Sequence, residues 1–322
     1  MKGHLDPFKY EPQKCFRGQV EVDGDKVGYT LSQLDGRDGR FRSYDKRPAE
    51  LSSSLNILIP GHGQTPAGVW NLMQAIVRHS PSHLVWCVDV DPPPGGDPVK
   101  AQALIKVVRE RVGIDIAGPE TGEGEDTTIT LLGWSHGGAE ALRAAEMAPT
   151  MFRHVVALCP SGLVERQLGE FVATFVWEYL TAVGEALIRR DGSFHRVAAV
   201  AWNALGGVLS DAIRSRSLGR IVNDLRWSTR KIVGPGYSYD GKVVILFGER
   251  DDVIRWEQVF PGCAEPGQVF QYIDHFREVS FPCVGEFGAA ILEGDHMAPE
   301  ILASIYVQAA FDLLGLDPDH RR

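Results

Sequence analysis

The chain has 322 residues, enough for one large domain with an insertion or for two small ones, and its 44% hydrophobic and 23% charged residues are those of an ordinary globular protein. A net charge of −9, with acidic and basic residues interspersed, argues against a nucleic-acid backbone or an anionic membrane surface as partner. No run reaches the roughly 18 apolar residues needed to cross a bilayer, and Met1-Lys2-Gly3-His4-Leu5 lacks the apolar stretch of a secretory signal, so a cytoplasmic protein is expected.

Two short strands, Gly18 to Val22 and Lys26 to Leu34, are predicted first, joined by the turn signal Asp23-Gly24-Asp25. A polar loop follows from Asp35 to Ser54. Short apolar strands then alternate with helices: strand Leu55 to Pro60, helix Ala67 to His79, strand His83 to Val90, helix Pro98 to Val112. Strand Thr127 to Leu132, helix Gly137 to Ala148 and strand Val155 to Cys159 continue the pattern. Such alternation implies βαβ units and a mostly parallel sheet.

From Pro160 to Tyr239 the strand signal disappears. Phe171, Phe175, Tyr179, Val183 and Leu187 fall near helical spacing, and further helical stretches run from Phe194 to Leu209 and from Asp211 to Asp224. The sheet resumes at Lys242 to Phe247, and Ala289 to Leu292 reads as its last strand, followed by helix Pro299 to Leu314. Residues 1–160 and 240–322 therefore read as an α/β core, with 161–239 as a helical cap inserted after the sixth strand. The stretch Trp256 to Glu286 is left open as a second pocket wall or a surface excursion. The five cysteines have no metal or redox spacing, and Cys87 and Cys159 fall in apolar runs as buried thiols. No metal site is expected.

Gly133-Trp134-Ser135-His136-Gly137 matches G-x-S-x-G, with the strand Ile129 to Leu132 just before it and a helix just after. In that context the turn is sharp, the glycines remove Cβ clashes, and the serine hydroxyl stands at the carboxyl edge of the sheet. The helix amino terminus behind Ser135 also favours developing negative charge. The plainer alternative is a glycine-rich turn with serine as a helix N-cap. From Leu55 to Leu314 the chain resembles the α/β-hydrolase superfamily, whose chain order is nucleophile, acid, histidine. That resemblance implies Ser135 as nucleophile.

It implies His296 as base, because Gly294-Asp295-His296 lies between the last strand and the last helix and resembles the family's Gly-x-His. His275 and His320 do not follow strands at the expected place. The acid follows the strand after the cap, in Gly248-Glu249-Arg250-Asp251-Asp252. The family's Gly-x-x-Asp selects Asp251, with its neighbour Asp252 as the alternative. The resemblance further implies an oxyanion site built from the backbone N–H groups of His136 and Gln64, the latter in Gly61-His62-Gly63-Gln64 after the first parallel strand. His62 is read mainly as shaping that loop. Pocket-lining candidates are His62, Trp134, Phe171, Phe175 and Trp177, in a mainly hydrophobic site under the cap.

The expected activity is hydrolysis of a carboxylic ester of a small or medium, largely apolar substrate through an acyl-enzyme, with no cofactor. Similar capped relatives cleave carbon–carbon bonds with the same residues, and lactone or thioester hydrolysis needs nothing different. Epoxide hydrolases and haloalkane dehalogenases carry aspartate where this chain has Ser135. A non-catalytic ligand-binding protein on the same fold is the alternative from another class. No nucleic-acid or membrane partner is expected, and the oligomeric state stays open.

Overall fold

The protein was analysed as a computed structural model. It describes residues 16–36, 42–44, 54–112, 128–189, 197–202 and 218–316, apart from positions 63, 67, 81, 92, 94, 95, 199 and 264. The predicted helical stretches over 194–209 and 211–224 thus fall partly outside the described residues, as does Cys15.

The chain opens with strands β1 (Phe16–Val22) and β2 (Asp25–Asp35). Asp23 and Gly24 both take positive φ, 51° and 88°, as a two-residue hairpin turn between right-twisting strands requires. A three-residue strand β3 (Arg42–Tyr44) pairs with β2 inside what the polar composition suggests is loop. Then come β4 (Ser54–Ile59), α1 (Trp70–His79), β5 (Leu84–Val90) and α2 (Asp97–Val112). These are followed by β6 (Thr128–Trp134), α3 (His136–Met147) and β7 (His154–Leu158). Helices α4 (Leu168–Arg189) and α5 (Leu218–Ser228) stand between β7 and β8 (Ser238–Gly248). The chain ends with α6 (Trp256–Val259), α7 (Val269–Ser280), β9 (Cys283–Leu292), α8 (Ala298–Ile301) and α9 (Ala303–Leu314).

The sheet has nine strands in the order β1-β2-β5-β4-β6-β7-β8-β9, with β3 beside β2. From β5 to β9 every pairing is parallel, and the β1–β2, β2–β3 and β2–β5 pairings are antiparallel. Side chains alternate across the strands, so an interior parallel sheet must be apolar on both faces. One face takes Leu55, Ile57 and Ile59 of β4 with Val243, Ile245 and Phe247 of β8; α2, α3 and α7 pack there through Leu104, Leu142 and Phe276. The other takes Leu58, Leu132, Val244 and Leu246 under Leu72 and Ile76 of α1 and Tyr306 and Phe311 of α9. Part of stretch 256–286 packs on the core. Its helix α7 joins Phe276 to Phe260, Phe281 and Phe287 in an aromatic cluster against the sheet.

Helix α1 begins without a side-chain N-cap. Its first amides are served from a distance: Glu300 of α8 accepts the N–H of Asn71 at 2.8 Å and of Leu72 at 3.0 Å. Burial pushes the Glu300 carboxyl up to about 8 against the pull of those two donors. A carboxyl raised by folding stabilises the native state fully below its unfolded pKa, and that contribution is lost as pH rises through the folded value. Relative to Glu300→Gln, which keeps an acceptor and does not titrate, the wild type is expected to lose melting temperature between the ordinary carboxylate range and about pH 8. Parallel melting curves for the two proteins across that window would contradict this.

Candidate active site

The fold carries three separated side chains to the carboxyl ends of parallel strands, where α/β sheets place their ligands. Ser135 stands between the end of β6 and the start of α3 with φ of 55°, a backbone region that L residues rarely adopt. The flanking glycines make this turn possible. A Cβ on Gly133 would sit 2.1 Å from the Gly137 carbonyl oxygen, and one on Gly137 would sit 2.3 Å from the Ile59 oxygen. The elbow is further held by the Ser135 N–H, which donates to the Leu158 carbonyl at 2.8 Å.

Asp251 follows β8 and His296 follows β9. His296 Nε2 lies 2.8 Å from Ser135 Oγ, and its Nδ1 lies 2.9 Å from Asp251 Oδ2. The other carboxylate oxygen of Asp251 accepts the Ile254 N–H at 2.7 Å, which fixes the carboxylate plane. All three residues are buried, His296 completely. Burial works against a charged imidazole, yet the charge and hydrogen bond of Asp251, followed by the charges of Glu178 and Asp295, raise the His296 pKa. Asp252 is exposed and 3.3 Å from Arg255, away from the imidazole. The geometry thus distinguishes the two neighbouring aspartates that spacing leaves open.

A sequence model described as the Alpha/beta hydrolase family matches residues 57–305, well over half of the chain. The chain belongs to the alpha/beta hydrolase family. Its mostly parallel sheet flanked by helices is the architecture expected from the resemblance. No curated protein is similar enough in sequence to count as a relative.

Among solved structures, this hydrolase is similar to a bacterial membrane phospholipase A at 13% identity and TM-score 0.55, covering 94% of this chain and 86% of that one. It is similar to a hydrolase from Pseudomonas aeruginosa PA01 at 13% identity and TM-score 0.53, covering 93% and 98%. A thermophilic esterase matches at 14% identity and TM-score 0.51, covering 94% and 98%. Likeness at that level is likeness of fold. Among the described residues, no helix of this hydrolase is long and apolar enough to cross a membrane.

The remaining residues singled out from the sequence fall in different places. The Gln64 N–H donates to the Gly61 carbonyl at 3.0 Å, closing a turn in the loop after β4. The Gln64 side chain meets the stretch between β7 and β8, bonding the Val200 carbonyl at 3.3 Å and the Tyr179 hydroxyl. The His136 ring turns away from Ser135 into a buried polar cluster. Its Nδ1 is 2.7 Å from Ser228 Oγ of α5, and its Nε2 is 3.1 Å from Glu140, which pairs with Lys100 at 2.5 Å. His62 is half-buried, its ring edge-on to that of His136 at 5.9 Å.

Of the aromatic pocket candidates, Phe175 of α4 reaches the site, 6.3 Å from the His296 ring and 4.5 Å from Tyr179, with Phe171 stacked behind it at 6.4 Å. Trp177 does not reach the site. Two residues beyond Phe175 a helix has turned by about 200°, and Trp177 is 65% exposed on the outer face. Trp134 is buried with its ring 6.2 Å from that of His296, and its indole N–H donates to the His296 carbonyl at 3.0 Å.

Glu178 is the site residue that reading the sequence misses. It is buried on the inward face of α4, one oxygen accepting the His296 N–H at 2.5 Å and the other the Val253 N–H at 2.9 Å. A signal was present. Glu178 is the only carboxylate between Glu170 and Glu185 and lies three residues from Phe175, on the same helical face. Cys159, buried as expected, hydrogen-bonds Asp251; burial and then the Asp251 charge push its pKa well up, so it stays a thiol.

Proposed function

We propose that this hydrolase cleaves carboxylic esters of small or medium, largely apolar substrates through an acyl-enzyme on Ser135. The supporting observation is the continuous chain from Ser135 Oγ through both ring nitrogens of His296 to Asp251, at 2.8 and 2.9 Å. Ser135 Oγ attacks the ester carbonyl carbon while His296 Nε2 takes its proton. The tetrahedral intermediate collapses, and the alcohol leaves with that proton. Water then attacks the acyl carbon, His296 again acting as base, and releases the acid and Ser135. Asp251 holds the Nδ1 proton, keeping Nε2 free to accept, and stabilises the imidazolium that forms. No cofactor takes part in these steps.

Backbone N–H groups of His136 and Gln64 are proposed to hold the oxyanion. The turn bond from Gln64 to Gly61 means that this donor must be shared or released as charge builds on the substrate oxygen. Helices α4 and α5 serve in this reading as the cap, residues 161–239, over a core of 1–160 and 240–322. Phe175 and Phe171 form its apolar wall. Ser135 is 5% exposed, so substrate reaches it through a narrow opening or after a local movement.

Nitrophenyl esters graded by acyl length, assayed beside a dienoic diketone ring-cleavage product, test the proposal. Turnover of the esters, fastest with short or medium apolar acyl chains, is expected. Cleavage of the diketone without ester turnover would overturn it in favour of carbon–carbon hydrolysis.

A further inference from the structure

We infer that Glu178 is a positioning residue, a carboxylate on the inserted helix α4 that holds the His296 loop and the Asp251 loop in register with Ser135. The inference rests on the proposed role of His296 as the base. Asp251 and His296 follow different strands, and the sheet alone leaves each loop free to shift at its tip. One carboxylate spans both. Its two oxygens take the main-chain N–H of His296 itself and of Val253, two residues past Asp251. Arg166 holds the other side of the Val253 peptide by donating to its carbonyl. The catalytic geometry is thereby tied to the position of α4, which also carries Phe175 over the imidazole.

The arrangement is costly, which argues that it is more than packing. Glu178 is buried beside two further acids, Asp251 and Asp295; burial and then the Asp251 charge raise its carboxyl pKa, while the His296 charge and N–H pull it back down. Among the described residues, the titratable or charged groups around it are Asp251, Asp295, His296, Tyr179, Cys159 and Arg166. An ionised Glu178 favours the charged imidazole, so its loss must lower the proton affinity of His296. Glutamine offers one oxygen where the two main-chain N–H groups meet two, so only the carboxylate holds both loops.

The test uses Glu178→Gln, which keeps one of the two acceptor oxygens and removes the charge, and Glu178→Ala, which removes both oxygens. The His296 ring titration is followed by NMR, and kcat and KM on a nitrophenyl ester are measured. In Glu178→Gln the His296 titration is expected to move to lower pH by roughly tenfold in proton concentration, with the acid limb of kcat/KM following it. Expected losses in kcat are about tenfold for Gln and about 100-fold for Ala, with KM changed less than about threefold. Unmoved titration and wild-type kcat in Glu178→Gln would overturn the inference, even if Glu178→Ala failed to fold. Should the wild type turn over no ester while the His296 titration still moves in Glu178→Gln, the positioning role stands and the ester reading falls.

Discussion

Ser135→Ala is expected to lower kcat by roughly 10⁴ or more while leaving KM and the fold nearly unchanged. The magnitude follows from covalent catalysis: without the hydroxyl, water must attack the carbonyl directly, and only binding and the oxyanion donors remain to help it. The fold should tolerate the change well. Ser135 already pays for its φ of 55° through the surrounding backbone bonds, and alanine is no more strained there than serine. His296→Ala belongs to the same unit and should cost about as much, with little added in the double variant. Full activity in either single variant would remove the proposed mechanism.

Asp251→Asn is expected to cost roughly 10⁴ in kcat although it changes one atom. The carboxylate now accepts the Nδ1 proton at 2.9 Å. An asparagine presenting its NH₂ there would make Nδ1 the acceptor and move the ring proton to Nε2, facing Ser135 Oγ. The imidazole could then no longer take the serine proton. Its other bond, from the Ile254 N–H at 2.7 Å, orients the group and favours this outcome by keeping one oxygen on the backbone side. Asp252→Asn is the matched control. Asp252 is exposed and pairs at the surface with Arg255, so kcat of this variant should stay within about twofold of wild type. Kinetics of the two variants side by side decide the matter, and a larger loss in Asp252→Asn would transfer the role to that residue.

The parallel core was legible because burial on both faces writes itself as short apolar runs. The predicted strands Leu55 to Pro60, His83 to Val90 and Val155 to Cys159 are largely apolar, broken only by Asn56, His83 and Asp89, and their ends agree with the observed strands to within one residue. Edge strands were less so. β9 begins at Cys283, six residues before the predicted Ala289, because Gly285 and Glu286 lie at the solvated margin and carry no apolar signature. β3 is three residues of polar sequence held by pairing with β2, information that resides in the partner strand. The closing helix was read as one element, but it breaks at Leu302 into α8 and α9.

The three candidate site residues could be picked out because the family motif places each just after a strand, and the fold brings them within hydrogen-bonding distance. What surrounds them was not. Trp177 and Phe175 look equivalent as aromatic residues on one helix, and only the rotation of α4 against the sheet sends one inward and the other to solvent. Glu178 looks like an ordinary surface acid until His296 and Val253, far along the chain, supply its donors.

The central claim is that Ser135 is a nucleophile activated by His296. It is tested most directly by reacting the protein with a fluorophosphonate and locating the adduct by peptide mass spectrometry. One phosphonyl group per chain on the peptide containing Ser135 is predicted, lost in Ser135→Ala and strongly slowed in His296→Ala. A folded wild-type protein that stays unlabelled, or carries the adduct on another residue, would contradict the account.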